Sequence, residues 1–215
     1  MKWLFFIFFI LLTHHANAQD VNRTYVDSLI NKLPFQKEDT IKVKTLFYLS
    51  DYFALVDHAK GMKFAEDAMA LSRKLKWEKG FVQSKIYSGR VFWRMGNYKT
   101  AISIHNDALQ LAQSLGYTDL LPLITLYIGQ DYADGGELRE ALHYFEMAKK
   151  MFEKTGNQLE VANCLLMISW VHDGSGNFPE SSKANIEALK IYESETKRQC
   201  RSQTFRRSHS DVHRL

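Results

Sequence analysis

Few side chains in this chain of 215 residues have a spacing that could support metal binding or catalysis. His209 and His213 lie four residues apart with Asp211 between them, which can serve a metal ion when a rigid element holds the ligands. They fall in a polar C-terminal stretch for which the sequence predicts no supporting element. We therefore expect solvated side chains there and no metal site.

Two glycine-containing segments have compositions that could suit ion-binding loops. Asp131, Asp134 and Glu137 surround Gly135-Gly136, but they lack the alternating ligands of a calcium loop, and the end of a helix explains the glycines better. The Asp-Gly-Ser-Gly segment at 173–176 does not follow a strand, so we expect no phosphate loop there. Because no paired nucleophile and base stands out either, we expect a protein without catalytic activity or a cofactor; a hydrolase is the least favoured interpretation.

Small residues recur along the chain at a spacing of forty residues, and this repeat predicts the elements that position these side chains. Such a period indicates one helical unit stacked on copies of itself, because a single unit cannot bury its apolar face alone. The repeating positions are Gly89, Gly129 and Ser169; Ala101 and Ala141; Ala108, Ala148 and Ala188; and, at the turns, Gly96, Gly136 and Gly176.

Each unit contains two stretches with helical apolar periodicity, helix A and helix B, joined by a short turn. We expect the turn glycine to end helix A in the left-handed conformation, and Asp39 to cap the first helix A. Small residues allow a close crossing, so Gly89 and Gly129 are expected to face the alanines of helix B. The predicted A and B helices are 41–55 and 59–75, 80–95 and 98–115, 119–134 and 138–154, and 158–174 and 178–194.

This pattern resembles the tetratricopeptide repeat. The best-matching unit contains Gly129, Tyr132, Gly136, Leu138, Ala141, Phe145 and Ala148. The resemblance covers about 41–194 and implies an all-α, right-handed α-solenoid of stacked antiparallel helix pairs, with units at 41–79, 80–118, 119–157 and 158–195. The chain is also similar to the periplasmic input regions of bacterial sensor histidine kinases, which implies a role in signal transduction.

The resemblance further implies that the A helices line a concave groove for a protein or peptide partner. Polar side chains and one tryptophan on this face would provide charge-assisted hydrogen bonds and an aromatic anchor. The alternative is a merely solvated face, with Trp170 packed against the preceding unit. The candidate groove residues are Asp51, Gln83, Arg90, Arg94, Gln130, Asp134, Asn163, Trp170 and Asp173.

The first eighteen residues are typical of a secretory signal peptide. Lys2 precedes the apolar stretch Trp3–Leu12, and Ala16-Asn17-Ala18 forms a small-x-small cleavage site before Gln19. Ten apolar residues are far fewer than the roughly 20 that a membrane-spanning helix needs, and no later stretch is apolar enough. We therefore expect a mature chain without a transmembrane segment, in the periplasm of a Gram-negative bacterium.

Residues 19–40 are predicted to cap the first unit. Within them, a short amphipathic helix ends at Pro34, because proline cannot continue a helix. Its apolar positions follow helical spacing and are Val26, Leu29, Ile30 and Leu33.

From Thr196 the apolar periodicity stops, so 196–215 is predicted to be a disordered basic tail. Three explanations stay open for it: a basic arm for an acidic partner or membrane, an open last unit that a second molecule covers, or a truncated or frame-shifted front part of a longer protein. We favour the third.

Charge argues against a nucleic-acid partner. The net charge is +4, but residues 196–215 carry +5 and Lys2 adds one more, so 19–195 is left with −2. Of the two cysteines, Cys164 lies in an apolar helical run and Cys200 in the tail, which favours packed or free thiols over a disulfide or zinc site. The sequence thus predicts a peptide- or protein-binding module. The alternative is a structural subunit of an envelope assembly that self-associates through its uncovered last unit.

Overall fold

The structure, a computed structural model, describes the backbone of residues 23–212 and the side chains of 23–198. Across this range the chain forms helices and no strand, which confirms the predicted all-α helical-repeat solenoid class. The predicted signal peptide, 1–18, lies outside the described residues. The helices are α1 (23–32), followed by a short 3₁₀ turn (Leu33–Phe35), α2 (Thr40–Val56), α3 (His58–Lys74), α4 (Glu78–Arg94), α5 (Tyr98–Ser114), α6 (Leu121–Asp134), α7 (Leu138–Thr155), α8 (Gln158–Gly174) and α9 (Phe178–Val212).

The described residues divide into two compact units, the first ending at Ser84 and the second beginning at Lys85. In the first unit α2 packs against α3. In the second unit α6 packs against α5 and α7, and α8 packs against α7 and α9. One buried apolar cluster, with Phe145 and Ile168 among its members, joins α6, α7, α8 and α9.

The observed helices agree with the predicted ones to within two residues at every end but the last. As predicted, Asp39 caps α2: its Oδ1 accepts hydrogen bonds from the backbone N–H groups of Ile41 (2.9 Å) and Lys42 (3.0 Å). These two groups have no partner within the helix, so the carboxylate defines where α2 begins. The helix predicted at the N-terminus is also present as α1, with Val26 buried; α1 ends at residue 32, and Pro34 lies in the 3₁₀ turn that follows.

The turn glycines adopt the left-handed conformation that the sequence predicts. Gly96, Gly136 and Gly176 have φ values of +73°, +86° and +73°, and a Cβ at any of them would have no neighbour within 4 Å. The backbone conformation alone therefore favours glycine here, because other residues meet their own carbonyl oxygen in this region. Lys76, with φ of +54°, is the one residue other than glycine among those described that has a positive φ.

The small residues are buried as predicted, but the glycines of helix A make a different contact. Ala101, Ala108 and their repeat equivalents on α7 and α9, Ala141, Ala148 and Ala188, are fully buried. The atoms nearest to Gly89 and Gly129, however, belong to rings. A Cβ on Gly89 would lie 2.4 Å from His105 Nε2, and one on Gly129 would lie 2.7 Å from Phe145 Cδ1. Each glycine therefore makes room for a ring of the B helix, which the sequence did not predict.

The segment predicted as a disordered tail differs as well. Residues 196–212 continue α9 without a break, so the prediction of disorder is wrong for them. α9 contains no glycine, and its single proline, Pro179, occupies the first turn, where it is tolerated, so no residue interrupts the helix between 180 and 212. Within the described residues, no helix is both long enough and apolar enough to span a membrane.

Candidate functional site

The second unit presents one continuous surface made by its A helices, here called the α4–α6–α8 face. Residues four apart on a helix share a side, so Arg90 and Arg94 lie together on α4, as do Gln130 and Asp134 on α6. Trp170 on α8 is the repeat equivalent of Gln130. The residue is 49% exposed, so about half of its surface stays accessible on this face.

Between α4 and α6, Arg90 is held in place by an aromatic ring. Its Nη1 donates a hydrogen bond to the hydroxyl oxygen of Tyr127 (3.1 Å), and its guanidinium carbon lies 5.0 Å from the centre of that ring. The stacking and the hydrogen bond restrict the orientation of the side chain. The face therefore carries an oriented guanidinium at this point.

A second pair of side chains, Trp93 on α4 and Asp134 on α6, joins these two helices nearer their C-terminal ends. The indole Nε1 of Trp93 donates to Asp134 Oδ2 over 2.6 Å, and the guanidinium of Arg94 stacks on the Trp93 ring at 4.2 Å. Asp134 and Arg94 are both exposed. The carboxylate is thus fixed by one donor while its remaining lone pairs face outward, where further donors can reach them.

Between α6 and α8 the face contains a cleft of about 180 Å³. Its walls combine apolar groups with one amide and one carboxylate. Trp170 contributes an exposed aromatic surface, and Phe145 lies buried at the base. The lining residues are Gln130, Ala133, Asp134, Phe145, Met167 and Trp170.

Beneath the face lies a buried polar pair that the sequence reasoning missed. His105 on α5 and Asp131 on α6 are each 1% exposed, and His105 Nδ1 donates to Asp131 Oδ2 over 2.6 Å. His105 Nε2 lies 3.2 Å from the carbonyl oxygen of Ile86. A carbonyl oxygen can only accept, so Nε2 is placed to donate to Ile86, while Nδ1 faces the carboxyl group of Asp131.

Electrostatics and packing connect this pair to the surface. Burial raises the pKa of the Asp131 carboxyl above its ordinary value, although the hydrogen bond and the charge of His105 act in the opposite direction. The His105 ring also stacks on Tyr127, with ring centres 5.7 Å apart. The pair therefore supports from below the ring that holds Arg90.

Four predicted groove residues remain. Asn163 bridges α8 and α9: its Nδ2 donates to Glu160 Oε2 (3.1 Å), and its Oδ1 accepts from the Tyr192 hydroxyl (2.5 Å). Asp173 is exposed at the end of α8. Asp51 and Gln83 are half-buried residues of the first unit. The structure thus brings together five of the nine candidates: Arg90, Arg94, Gln130, Asp134 and Trp170.

The sequence reasoning missed three surface residues that complete the face, namely Trp93, Tyr127 and Met167. A signal for one of them was present, because Tyr127 is the forty-residue equivalent of Tyr87, and aromatic residues recur at this position. The buried thiol was predicted correctly. Cys164 is fully buried, and desolvation raises its pKa to about 12, so it does not form a reactive thiolate.

Comparison with known proteins identifies the repeat. A family model described as the tetratricopeptide repeat matches residues 83–154 and 120–194, which together span more than half of the chain. No curated protein matches the sequence.

Solved structures with similar folds include Rap proteins. The Rap conjugation gene regulator of plasmid pLS20 in complex with the Phr* peptide has a TM-score of 0.70 at 20% identity, over 84% of this chain and 52% of that one. A Rap protein complexed with competence and sporulation factor has a TM-score of 0.69 at 18% identity, over 79% and 49%. Aspartyl phosphate phosphatase F from Bacillus subtilis has 0.68 at 18%, over 77% and 44%. The chain spans about half the length of these proteins, and at such identities the likeness shows the fold alone.

Proposed function

The chain belongs to the tetratricopeptide repeat family, and on that basis we propose that it is a non-catalytic module that binds an extended peptide or protein segment along the α4–α6–α8 face. The proposal depends on one observation. The face combines a preoriented cation at Arg90, a fixed carboxylate at Asp134 and a cleft beside the half-exposed Trp170. Polar groups of this kind orient a ligand, while the aromatic cleft supplies apolar contact.

The dimensions of the repeat suit an extended ligand. Helices in contact lie about 8–10 Å apart, and an extended chain advances about 3.3 Å per residue, so roughly three ligand residues separate neighbouring A helices. Two of the similar structures are described as complexes, one with the Phr* peptide and one with competence and sporulation factor. This supports a peptide ligand for the present chain, although it does not identify one.

A peptide library tests the proposal. The chain from Gln19 onward is immobilised, and linear peptides are selected on it. Two variants of the face are compared with the wild type: the double variant Arg90→Ala/Arg94→Ala and the single variant Trp170→Ala. We expect the affinity of the selected peptides to fall at least tenfold in each, because each variant removes a contact of the face. Arg139→Ala, on the exposed surface of α7, serves as the matched control. Unchanged affinity in both face variants would refute the proposal.

We further propose that the chain acts in the periplasm as the sensing part of a signalling protein. The support is the leader pattern of residues 1–18 together with a binding face of the kind described above. Expression in a Gram-negative host, followed by osmotic shock and N-terminal sequencing, tests the location. We expect a periplasmic product that begins at Gln19; a cytoplasmic product that keeps Met1 would refute export.

A structural role through self-association is the second candidate, and one observation favours it. On α9, Phe178, Ile186 and Leu189 are 64%, 54% and 57% exposed. Leu138, the repeat equivalent of Phe178, packs against the buried cluster, and its Cδ1 lies 3.4 Å from a Cβ built on Gly174. Sedimentation equilibrium tests this role: a concentration-dependent mass that Ile186→Asp combined with Leu189→Asp abolishes would support it, whereas a monomer at all concentrations would refute it.

A further inference from the structure

The cleft between α6 and α8 has an unusual combination of walls. Asp134 is the one charged residue among those that line it, and the rest are an amide and apolar groups. Met167 and Trp170 provide the apolar sides, and Phe145 provides the base. A purely apolar side chain in the cleft would leave the Asp134 carboxylate without a partner. A side chain with an apolar stem and a positively charged tip would contact both the apolar walls and the carboxylate.

The carboxylate is placed for a cation. The Trp93 indole bonds to Asp134 Oδ2 and fixes the group, which keeps acceptor capacity for further donors. Trp170, 49% exposed, lines the same cleft, and the face of an indole ring attracts cations. A guanidinium or ammonium beside such a ring and such a carboxylate gains from both interactions.

The equivalent position one repeat earlier has the opposite charge. Arg94 on α4 corresponds to Asp134 on α6, whereas the equivalent of Arg90 is the neutral Gln130. A basic ligand residue is therefore repelled at the α4 end of the face and attracted at the α6–α8 cleft. The two ends of the face differ in charge, so a bound segment has a preferred direction.

We propose that the α6–α8 cleft binds a basic side chain, arginine or lysine, of the peptide ligand, with its aliphatic stem between Met167 and Trp170 and its charged tip at Asp134. This proposal rests on the peptide-binding function put forward above. It adds to that function the ligand residue that sets direction and register.

Small probes test the cleft without knowledge of the full ligand. The protein from Gln19 onward is labelled with ¹⁵N at its tryptophan indoles and titrated with Nα-acetyl-arginine-N-methylamide. The matched probe is the corresponding citrulline compound, which has nearly the same shape and no charge. We expect the arginine probe to shift the indole signals of Trp93 and Trp170 at millimolar concentration, with at least a fivefold lower Kd than the citrulline probe.

A charge-removing variant assigns the preference to the carboxylate. Asp134→Asn keeps an acceptor for Trp93, and because Asp134 is exposed the fold is not at risk. We expect it to raise the Kd of the arginine probe to that of the citrulline probe. Asp173→Asn, outside the cleft lining, is the control and should leave both values unchanged. Equal affinity of the two probes for the wild-type protein, or tighter binding of a norleucine probe, would overturn the proposal in favour of an apolar occupant.

The peptide selection separates this inference from the function on which it rests. If selected peptides bind through Arg90 and Trp170 but contain no enriched basic residue, the cleft assignment fails and the peptide-binding function stands. If the wild-type protein selects no peptide, the function fails regardless of how the small probes behave. Enrichment of arginine or lysine that Asp134→Asn abolishes would support both.

Discussion

The buried pair of His105 and Asp131 allows a quantitative test of the packing between repeats. His105→Phe removes both ring donors while keeping a planar ring, and the next repeat shows that phenylalanine fits such a site. Phe145 is the equivalent of His105, and its ring lies on Gly129 as the His105 ring lies on Gly89. The phenylalanine ring should therefore be accommodated, and any loss of stability should come from the Asp131 carboxylate, which no longer has its partner.

The magnitude follows from burial. Asp131 is 1% exposed, and in the single variant it keeps no cationic partner in place of His105. Removing one member of a buried ion pair lowers the free energy of unfolding by about 3–5 kcal/mol. The repeat also supplies the compensating change, because Val171 is the equivalent of Asp131 and is buried in the same cluster as Phe145. We expect His105→Phe combined with Asp131→Val to return to within about 1 kcal/mol of wild type.

Urea unfolding at pH 7.5, monitored by circular dichroism, measures the stability of the wild type, the single variant and the double variant. The unfolding midpoints are compared with one shared value for the dependence of the unfolding free energy on urea concentration.

The pH dependence of stability gives an independent check. Burial raises the Asp131 pKa, so the folded state holds this proton more tightly than the unfolded state. Stability from this group is present below the unfolded pKa and is lost as pH rises through the folded pKa. His105→Phe removes the hydrogen bond and the charge that lower this pKa, so the carboxyl of the variant takes up its proton at a higher pH than in the wild type. The deficit of His105→Phe should therefore shrink at pH 4.5. A single variant as stable as wild type at pH 7.5, or a double variant less stable than the single one, would refute the reasoning.

Three further predictions concern backbone and packing. Lys76→Gly should raise the free energy of unfolding by about 0.5–1 kcal/mol, because it relieves a left-handed residue, and Gly116→Ala, at the equivalent position with φ of +74°, should lower it by about 1 kcal/mol. Gly129→Ala should lower it by about 1–3 kcal/mol, because the new Cβ would lie 2.7 Å from the buried Phe145 ring. Iodoacetamide at pH 8 should leave Cys164 unmodified in the folded protein, because its pKa is about 12, and modify it in urea. Urea unfolding measures the first two, and mass spectrometry of the peptide that contains Cys164 measures the third.

Controls keep these results interpretable. Gly174→Ala should be nearly neutral, because the nearest atom to its Cβ is Leu138 Cδ1 at 3.4 Å. Equal losses for Gly129→Ala and Gly174→Ala would contradict the contact between glycine and ring. A destabilised Lys76→Gly would show that the side chain matters more than its backbone conformation. Rapid alkylation of Cys164 in the folded protein would contradict its burial.

The repeat architecture could be predicted because it depends on spacing. Helix ends follow glycine turns and caps, and these are local signals that one sequence displays. The contact of Gly89 with a ring could not be predicted from the same pattern. A small residue indicates close approach without identifying the approaching group, and His105 is polar where the next repeat has Phe145. The helical continuation after Thr196 was missed because apolar periodicity was taken as a requirement.

The binding face was predicted in part. Arg90, Gln130 and Trp170 were found because they follow the small residue of each helix A, which places them on one side. Trp93 and Met167 were missed because their roles depend on contacts between helices, which no spacing within one helix reveals.

The buried residues differ between the junction of α5 with α6 and the junction of α7 with α8. This difference affects whether helices of the wrong repeats can pack together during folding. If α5 docked on α8 instead of α6, His105 would meet the aliphatic Val171, and Asp131 would lose its counter-ion. If α7 docked on α6 in place of α5, Phe145 would cover a bare carboxylate. Each misalignment would leave a buried carboxyl group without its partner, so the His105–Asp131 pair favours the observed order of the described helices over either alternative.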